Sequence, residues 1–410
     1  MAEKDKKPEI RFTGFTDAWA QLKLGDLSES FEYGLNAAAT DFDGVNKYIR
    51  ITDIDDESRK FLEKNLTSPN IDLSNADNYK LKNGDILFAR TGASVGKTYI
   101  YNVSDGLVYY AGFLIRARIK REYDREFVFQ NTLSNGYKKY ISITSQRSGQ
   151  PGVNAQEFAE YKINVPKYDE QVKIGAFLKE MDNLITLQQR KHDKLVLIKK
   201  SMLEKMFPKD GADVPEIRFA EFTDSWEKWK VGDVLKQKQR PIKMEDNKEY
   251  QLVTVKRRNE GIVSRGYLKG KDILVKNYFE IRSGDYLISK RQVIHGANGI
   301  VPENLDKSIV SNEYLVAIGN KNITTEYWTL ISKRPNMYKQ FFLSSYGVDI
   351  EKLVFDVEDW KKRTIILPLL PEQEKITLFF HRLDHLITLH QRKLEKLKNI
   401  KKSMLEKMFV

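Results

Sequence analysis

A chain of 410 residues has room for two or three domains with sizeable cores, and the absence of cysteine excludes disulfides and thiolate metal sites, so a reducing, cytoplasmic home is expected. Lys and Arg outnumber Asp and Glu by 69 to 57, a net charge of +12, which favours a polyanion such as nucleic acid over an acidic small molecule as partner. The opening residues MAEKDKKPEIRF are charged without an apolar core, and no apolar run approaches membrane-spanning length, so neither a secretion signal nor a membrane role is expected.

In chain order, a lead segment comes first. PEIRFTGFTDAWAQLKLGDL at 8–27 recurs as PEIRFAEFTDSWEKWKVGDV at 215–234, with Phe12, Phe15, Trp19 and Gly25-Asp26 matching Phe219, Phe222, Trp226 and Gly232-Asp233. A first body follows, about 28–164, with β-rich runs at 48–52 and 109–117 and helical character near 123–141. Inside it, NGDILFARTGASVGKTYIY (83–101) reads as a Gly-Asp turn, a short apolar strand, a loop of basic and small residues, and a return strand.

The stretch 165–208, VPKYDEQVKIGAFLKEMDNLITLQQRKHDKLVLIKKSMLEKMFP, has Pro166 and the pair Glu170-Gln171 at its start and lacks Gly and Pro thereafter apart from Gly175 until its end. It predicts one helix of roughly 50 Å at ~1.5 Å per residue. Stepping 4-3-4-3 from Ile174 gives Leu178, Met181, Ile185, Gln188, His192, Leu195, Lys199, Met202 and Met206. A mostly apolar pattern held over more than four heptads indicates a coiled-coil seam, and its polar members are of the kind that fix register.

After a short linker, PKDGADVP at 208–215, the lead returns and a second, divergent body follows at about 235–366. Its β-rich runs are at 250–256 and 309–318, its helical stretch is near 324–343, and SGDYLISKRQVIHGANGIV (283–301) mirrors the strand-loop-strand of the first body. The second helix stretch, 367–410, aligns with 165–208 at an offset of 202 without a gap. Pro368, Glu372-Gln373 and IKKSMLEKMF are all kept, and the seam reads Ile376, Phe380, Leu383, Ile387, His390, Leu394, Leu397, Lys401, Met404, Met408. Polar interruptions fall at matching places, Gln188 with His390 and Lys199 with Lys401. The fold class expected is mixed α/β (α+β): two globular domains with a long two-helix coiled coil in an internal repeat of pseudo-two-fold kind.

Catalytic signatures fail on inspection. TGASVGKT (91–98) nearly spells a phosphate-binding loop, but its spacing is one residue short and Tyr99-Ile100-Tyr101 continues as strand where a helix N-terminus is required. His381, His385 and His390 align with Lys179, Asn183 and Gln188, so the repeat keeps no ligand set and no metal site is expected. No HExxH, GxSxG, dinucleotide fingerprint or Asn/Asp-Pro-Pro-aromatic motif is present. What stands out instead is a set of basic and amide-bearing loops. The first body offers Arg90, Thr91 and Lys97, then Gln146, Arg147 and Gln150 in the segment 145–150 that also holds Ser148. The second offers Lys256, Arg257 and Arg258 beside Asn259, then Lys290 and Arg291 beside Gln292, and His295 with Asn298. Arg and Lys bond guanine O6 and N7, and Gln and Asn bond adenine N6 and N7.

Two divergent bodies separated and closed by near-identical helices, each led by P-E-I-R-F-x-x-F-T-D-x-W, resemble the specificity subunit of type I restriction-modification systems over the whole chain. The resemblance implies a non-catalytic DNA-binding protein with domains at 1–164 (first target recognition domain), 165–208 (first spacer helix), 209–366 (linker and second target recognition domain) and 367–410 (second spacer helix). It implies double-stranded DNA, two modification subunits and restriction subunits as partners. S-adenosylmethionine, ATP and Mg would then serve those partner subunits, with no cofactor in this chain. An antiparallel helix pair would let one chain imitate a symmetric dimer and meet half-sites about one DNA turn apart, ~34 Å. Phe177, Leu184 and Leu187 with Arg190, and Phe379, Leu386 and Leu389 with Arg392, lie off the seam and recur in both copies, as do Ile198 and Ile400. They are candidates either for docking partners or for widening the intramolecular core. Two other classes stay open: an enzyme, separable by incubating the chain with DNA, divalent metal and S-adenosylmethionine, and a scaffold without a nucleic-acid role, separable by a gel shift at low and high salt.

Overall fold

The structure, a computed structural model, describes residues 7–147, 149–209, 211–274 and 277–409. The chain forms two units, residues 1–192 with 389–410, and residues 193–388. The domain boundaries expected from sequence are therefore corrected. The long helices, Tyr168–Lys205 and Leu370–Lys407, are not bodies of their own; each is divided between the two units.

In the first unit a four-stranded antiparallel sheet runs in the order Ser28–Tyr33, Leu114–Ile119, Ile86–Ala89, Thr98–Ile100. Its apolar strands are covered by short helices, and Trp19, Phe127 and Phe158 meet in the core. The β-rich run at 109–117 falls in two strands, Val108–Tyr110 and Leu114–Ile119. The helical stretch near 123–141 is likewise two helices, Arg125–Asn131 and Asn135–Thr144, because the Ser134 side chain accepts from Tyr137 N and caps a new start.

The second unit repeats the scheme on different residues. Its sheet runs Leu235–Gln237, Tyr314–Gly319, Tyr286–Ser289, Asn298–Ile300, and a second sheet joins Ile262–Lys269, Glu249–Val255, Ile309–Ser311 and Tyr278–Glu280. Here Pro335 opens a new helix, so that 324–343 divides into Thr325–Ile331 and Pro335–Leu343.

Every seam position on the two long helices is buried or half-buried. Within the first unit Asp182 accepts from Lys401 Nζ at 2.6 Å and Gln188 Oε1 meets His390 Nδ1 at 2.7 Å. As one residue number rises its partner's falls, so the pairing there is antiparallel. The second unit answers with Lys199 on Asp384, each partner displaced by the repeat offset from those of the Asp182–Lys401 pair. Gln188 and His390 thus find each other, and Lys199 and Lys401 each find a carboxylate that directly follows a seam residue. A shift of register would strand them half-buried without partners.

The lead is repeated because it ties one helix end to another helix start, and several of its repeated residues do the same task in both copies. In the first unit Ile10 N donates to Lys407 O at 3.0 Å, and in the second Ile217 N donates to Lys205 O at 2.9 Å, satisfying a terminal carbonyl in both helices. Glu9 and Glu216 pair with the lysines of those same last turns, Lys407 and Lys205. Arg11 and Arg218 reach the other helix start, forming two-pronged bonds with Glu170 and Glu372. Phe12 stands edge-on to Phe177, and Phe219 to Phe379. Trp19 and Trp226 are buried. The strands following them, Ala20–Lys23 and Glu227–Lys230, pair antiparallel with Lys162–Val165 and Thr364–Leu367 just ahead of the long helices.

The Gln of each Glu-Gln pair locks the long helix to its body. Gln171 donates to Pro166 O at 2.8 Å and accepts from Asp124 N at 3.0 Å; Gln373 donates to Pro368 O at 2.8 Å and accepts from Thr324 N at 3.2 Å. Asp124 and Thr324 are the caps of the short helices that follow. This close approach accounts for Gly175, where a Cβ would strike Asp124 Oδ1 and Phe127 N. The second copy has Thr377 there, and its cap is Thr324 in place of Asp124.

Candidate nucleic-acid interface

In each body the Gly-Asp turn fixes the strand that carries the basic loop. Asp85 accepts from Lys82 N and binds the Arg118 guanidinium through both oxygens at 2.9 Å; Asp285 accepts from Arg282 N and binds Arg240 at 2.6 and 3.0 Å. The loops then leave the sheet at Arg90 and Lys290 and return as Thr98–Ile100 and Asn298–Ile300. Between them lie short 3-10 turns, Gly92–Ser94 and Val293–His295, followed by strand. No helix follows Lys97, so the geometry of a phosphate-binding loop is absent there.

The first body brings its two candidate loops side by side. Gly92 N donates to Pro151 O at 3.0 Å and Val153 N to Arg90 O at 2.9 Å, which sets Gly92 against the Gln150 side chain. The Arg90 guanidinium lies 5.2 Å from the Tyr33 ring centre and 5.7 Å from that of Phe113. Gln146 and Gln150 are exposed. Arg147 is exposed too, but it pairs with Glu157 and caps Thr144 O at 2.8 Å. Ser148 lies outside the described residues.

Lys97 was expected to face DNA and does not. Its side chain is 7% exposed, its ammonium pairs with Asp56 at 2.6 Å, and it donates to Ile54 O at 3.0 Å. The lysine holds the Asp56 carboxyl below the usual carboxylate range, chiefly through that hydrogen bond. It is a strut joining this loop to the 54–61 turn.

In the second body the candidates gather in two places. Lys290 donates to Asn312 O at 2.7 Å and Arg291 pairs with Glu313 at 2.6 Å, so both lie along the turn before Tyr314–Gly319. Arg257, Arg258 and His295 line an open cleft of about 410 Å³ together with Tyr338, and Lys256 is exposed at its edge of the hairpin. Gln292 and Asn298 hold buried side-chain atoms without hydrogen-bond partners among the described residues. Sequence reasoning missed Tyr338 and Glu351, which completes the cleft by pairing with Arg257 at 2.9 Å. Neither carries a local signal, since each lies some 80 or more residues from the hairpin it meets.

Of the candidate docking residues, Leu184, Leu187, Leu386 and Leu389 are 39–51% exposed. That is too open for a widened core. Phe177 and Phe379 are partly covered by the lead phenylalanines, Ile198 packs against the second unit's core, and Arg190 and Arg392 are exposed. Among the described residues no helix is long and apolar enough to cross a membrane.

Comparison with known proteins places this arrangement. The sequence profile of the type I restriction modification DNA specificity domain matches residues 16–196 and 223–399, one match for each half. The chain belongs to that family, and is a non-catalytic, DNA-recognising specificity subunit of type I restriction-modification systems. Among curated relatives, a specificity subunit assigned to the MjaX type I restriction enzyme of Methanocaldococcus jannaschii is 25% identical over 423 residues, covering 98% of this chain and 95% of the relative. The specificity subunit of the MjaVIII enzyme of the same organism is 22% identical over 417 residues, covering 94% and 91%. The crystal structure of a type I restriction-modification system S subunit from M. genitalium shares the fold, with a TM-score of 0.58 at 12% identity over 98% of this chain and 99% of the other.

Proposed function

We propose that each body reads one half of a bipartite DNA site, that the paired helices set the spacing between the halves, and that the same helices dock two modification subunits. The observation that carries this reading is the doubled clamp. Lead, helix start and helix end are joined by the same bonds in both units, while the loop residues beside them differ. Equivalent frames with unlike loops suit equivalent partners and unlike half-sites. In the first body Arg90, Gln146, Gln150 and Arg147 are offered to DNA; in the second Lys256, Arg257, Arg258, Lys290, Arg291 and His295 are.

The exposed leucines at 184, 187, 386 and 389 give each helix an apolar stripe off the seam, flanked by Arg190 or Arg392, which suits a protein partner. Adenine methylation with S-adenosylmethionine, and cleavage driven by ATP and Mg with restriction subunits, belong to those partners, in the cytoplasm. The test is methylation mapping of DNA from cells carrying this chain and its modification subunits. Arg258→Ala should relax one half-site and Gln150→Ala the other, each by about 1–3 kcal/mol of discrimination where a base is read. Equal loss at both half-sites from either change would remove the assignment of one body to each half.

A further inference from the structure

The hairpin tip at 256–261 and the loop at 290–297 are locked together in the second unit. Arg258 and Asn259 adopt left-handed backbone, with φ of +57° and +56°. Two successive non-glycine residues in that region cost free energy, and the tip is held there by bonds from their N–H groups to His295 O and Gly296 O at 2.7 and 3.0 Å. Asn259 Nδ2 also donates to the Tyr338 hydroxyl. The cleft beside the tip is therefore preformed.

One carboxylate lies between two basic side chains in it. Glu351 Oε2 accepts from Arg257 Nη2 at 2.9 Å, while Oε1 lies 3.6 Å from His295 Nε2, beyond hydrogen-bond range. His295 Nε2 is buried and has no hydrogen-bond partner among the described residues. Buried polar atoms of this kind are expected to be satisfied, so the cleft is missing a polar group. Glu351 reaches it from a short turn, Ile350–Lys352, and is itself about half exposed.

An anion with two oxygens, set between an arginine and a histidine, has the form of a phosphodiester's non-bridging oxygens. We infer that Glu351 stands in for a DNA backbone phosphate: it neutralises the cleft in the DNA-free chain and is displaced when a phosphodiester enters. The inference rests on the DNA-reading role proposed above. It makes Glu351 a residue that restrains affinity for any duplex, because every duplex must replace one anion by another before Arg257 contributes.

The test uses the complex of the full chain with its modification subunits, with binding to cognate and scrambled duplexes followed by fluorescence anisotropy over a range of salt. Arg257→Ala should weaken both duplexes alike and lower the slope of log K against log salt by about one. Glu351→Gln should tighten both by about two- to five-fold, the scale of a half-exposed ion pair. In the Arg257→Ala background that gain should fall by more than half. An equal gain in both backgrounds would reduce the effect to net charge and overturn the inference, as would unchanged binding in Glu351→Gln. A loss in Arg257→Ala confined to one base pair would make Arg257 a base reader and overturn it too. Failure of the unaltered complex to bind any duplex would instead sink the DNA-reading role itself.

Discussion

Arg11 meets Glu170 through Nε and Nη2 at 2.6 and 2.8 Å, and Arg218 meets Glu372 through the same two atoms at 2.7 Å. In the first pair the arginine side chain is 12% exposed and the glutamate 1%. The two partners are therefore unequal. Arg11→Ala leaves a buried carboxylate without its countercharge, and should cost about 3 kcal/mol; Glu170→Ala leaves an arginine that can turn to water, and should cost less. Urea denaturation followed by a probe in the first unit checks the order, and a larger loss from Glu170→Ala would contradict it.

The contact between Gln188 and His390 predicts a conflict between stability and register. Replacing both with leucine should stabilise the helix pair by about 1–2 kcal/mol, since the site then buries apolar surface. Gln188→Leu alone should destabilise it by about 1 kcal/mol, because His390 Nδ1 loses its partner. Thermal melts of the three variants read the signs. Cysteine cross-linking across the seam should show more than one register only in the double variant.

The exposed leucines separate docking from folding. Leu187→Asp and Leu389→Asp place a charge on positions that are 46% and 51% exposed, so the melting temperature should stay within about 2 °C of the parent. Each should nonetheless weaken binding of one modification subunit by tenfold or more, a loss on the scale of about 1.4 kcal/mol. Native mass spectrometry of the mixed complexes counts the subunits retained.

Gly296 carries φ of +76°, and a Cβ there would strike the Tyr338 hydroxyl. Gly296→Ala should destabilise the second unit by about 1–3 kcal/mol, and Tyr338→Phe added to it should restore only part, since the backbone strain remains. Full restoration would mean that the contact, not the conformation, sets the requirement.

The spacing role proposed for the helices can be tested by length. Seven residues added after Lys191 and after Lys393 keep the seam within ~20° of phase and add roughly 10 Å at ~1.5 Å per residue. At ~3.4 Å per base pair the same half-sites should be methylated with a gap about three base pairs longer. An unchanged gap in a complex that still assembles would separate the helices from spacing.

What could be read from the sequence was whatever repeats or has a period. The seam residues from Ile174 to Met206 follow heptad spacing, and the duplicated leads marked Arg11 and Glu170 as recurring even though their pairing was not inferred. A signal for that pairing existed: an arginine kept in both leads and a glutamate kept in both helix starts are opposite charges with matching history. The ionic partners of the loops had no such trace. Lys97 looks like a solvent-facing cation until Asp56 is folded onto it, and Arg257 looks unopposed until Glu351 arrives from 94 residues away. Both carboxylates lie in divergent bodies where the repeat gives no second copy to compare. The split of each body's helical stretch was local and was missed for another reason. Ser134 and Pro335 interrupt helices whose apolar spacing continues across the break.

The division of the chain has a bearing on how the protein is made. Residues 193–388 are consecutive, so the second unit can assemble as soon as the ribosome has released them. The first unit takes Met408 and Phe409 into its core, beside Phe127 at 5.3 Å between ring centres, and must wait for them. Translation order and maturation order are thereby reversed: the body synthesised first is finished last. Loss of residues 389–409 would strip the first unit of its second helix while sparing the unit that immediately precedes them.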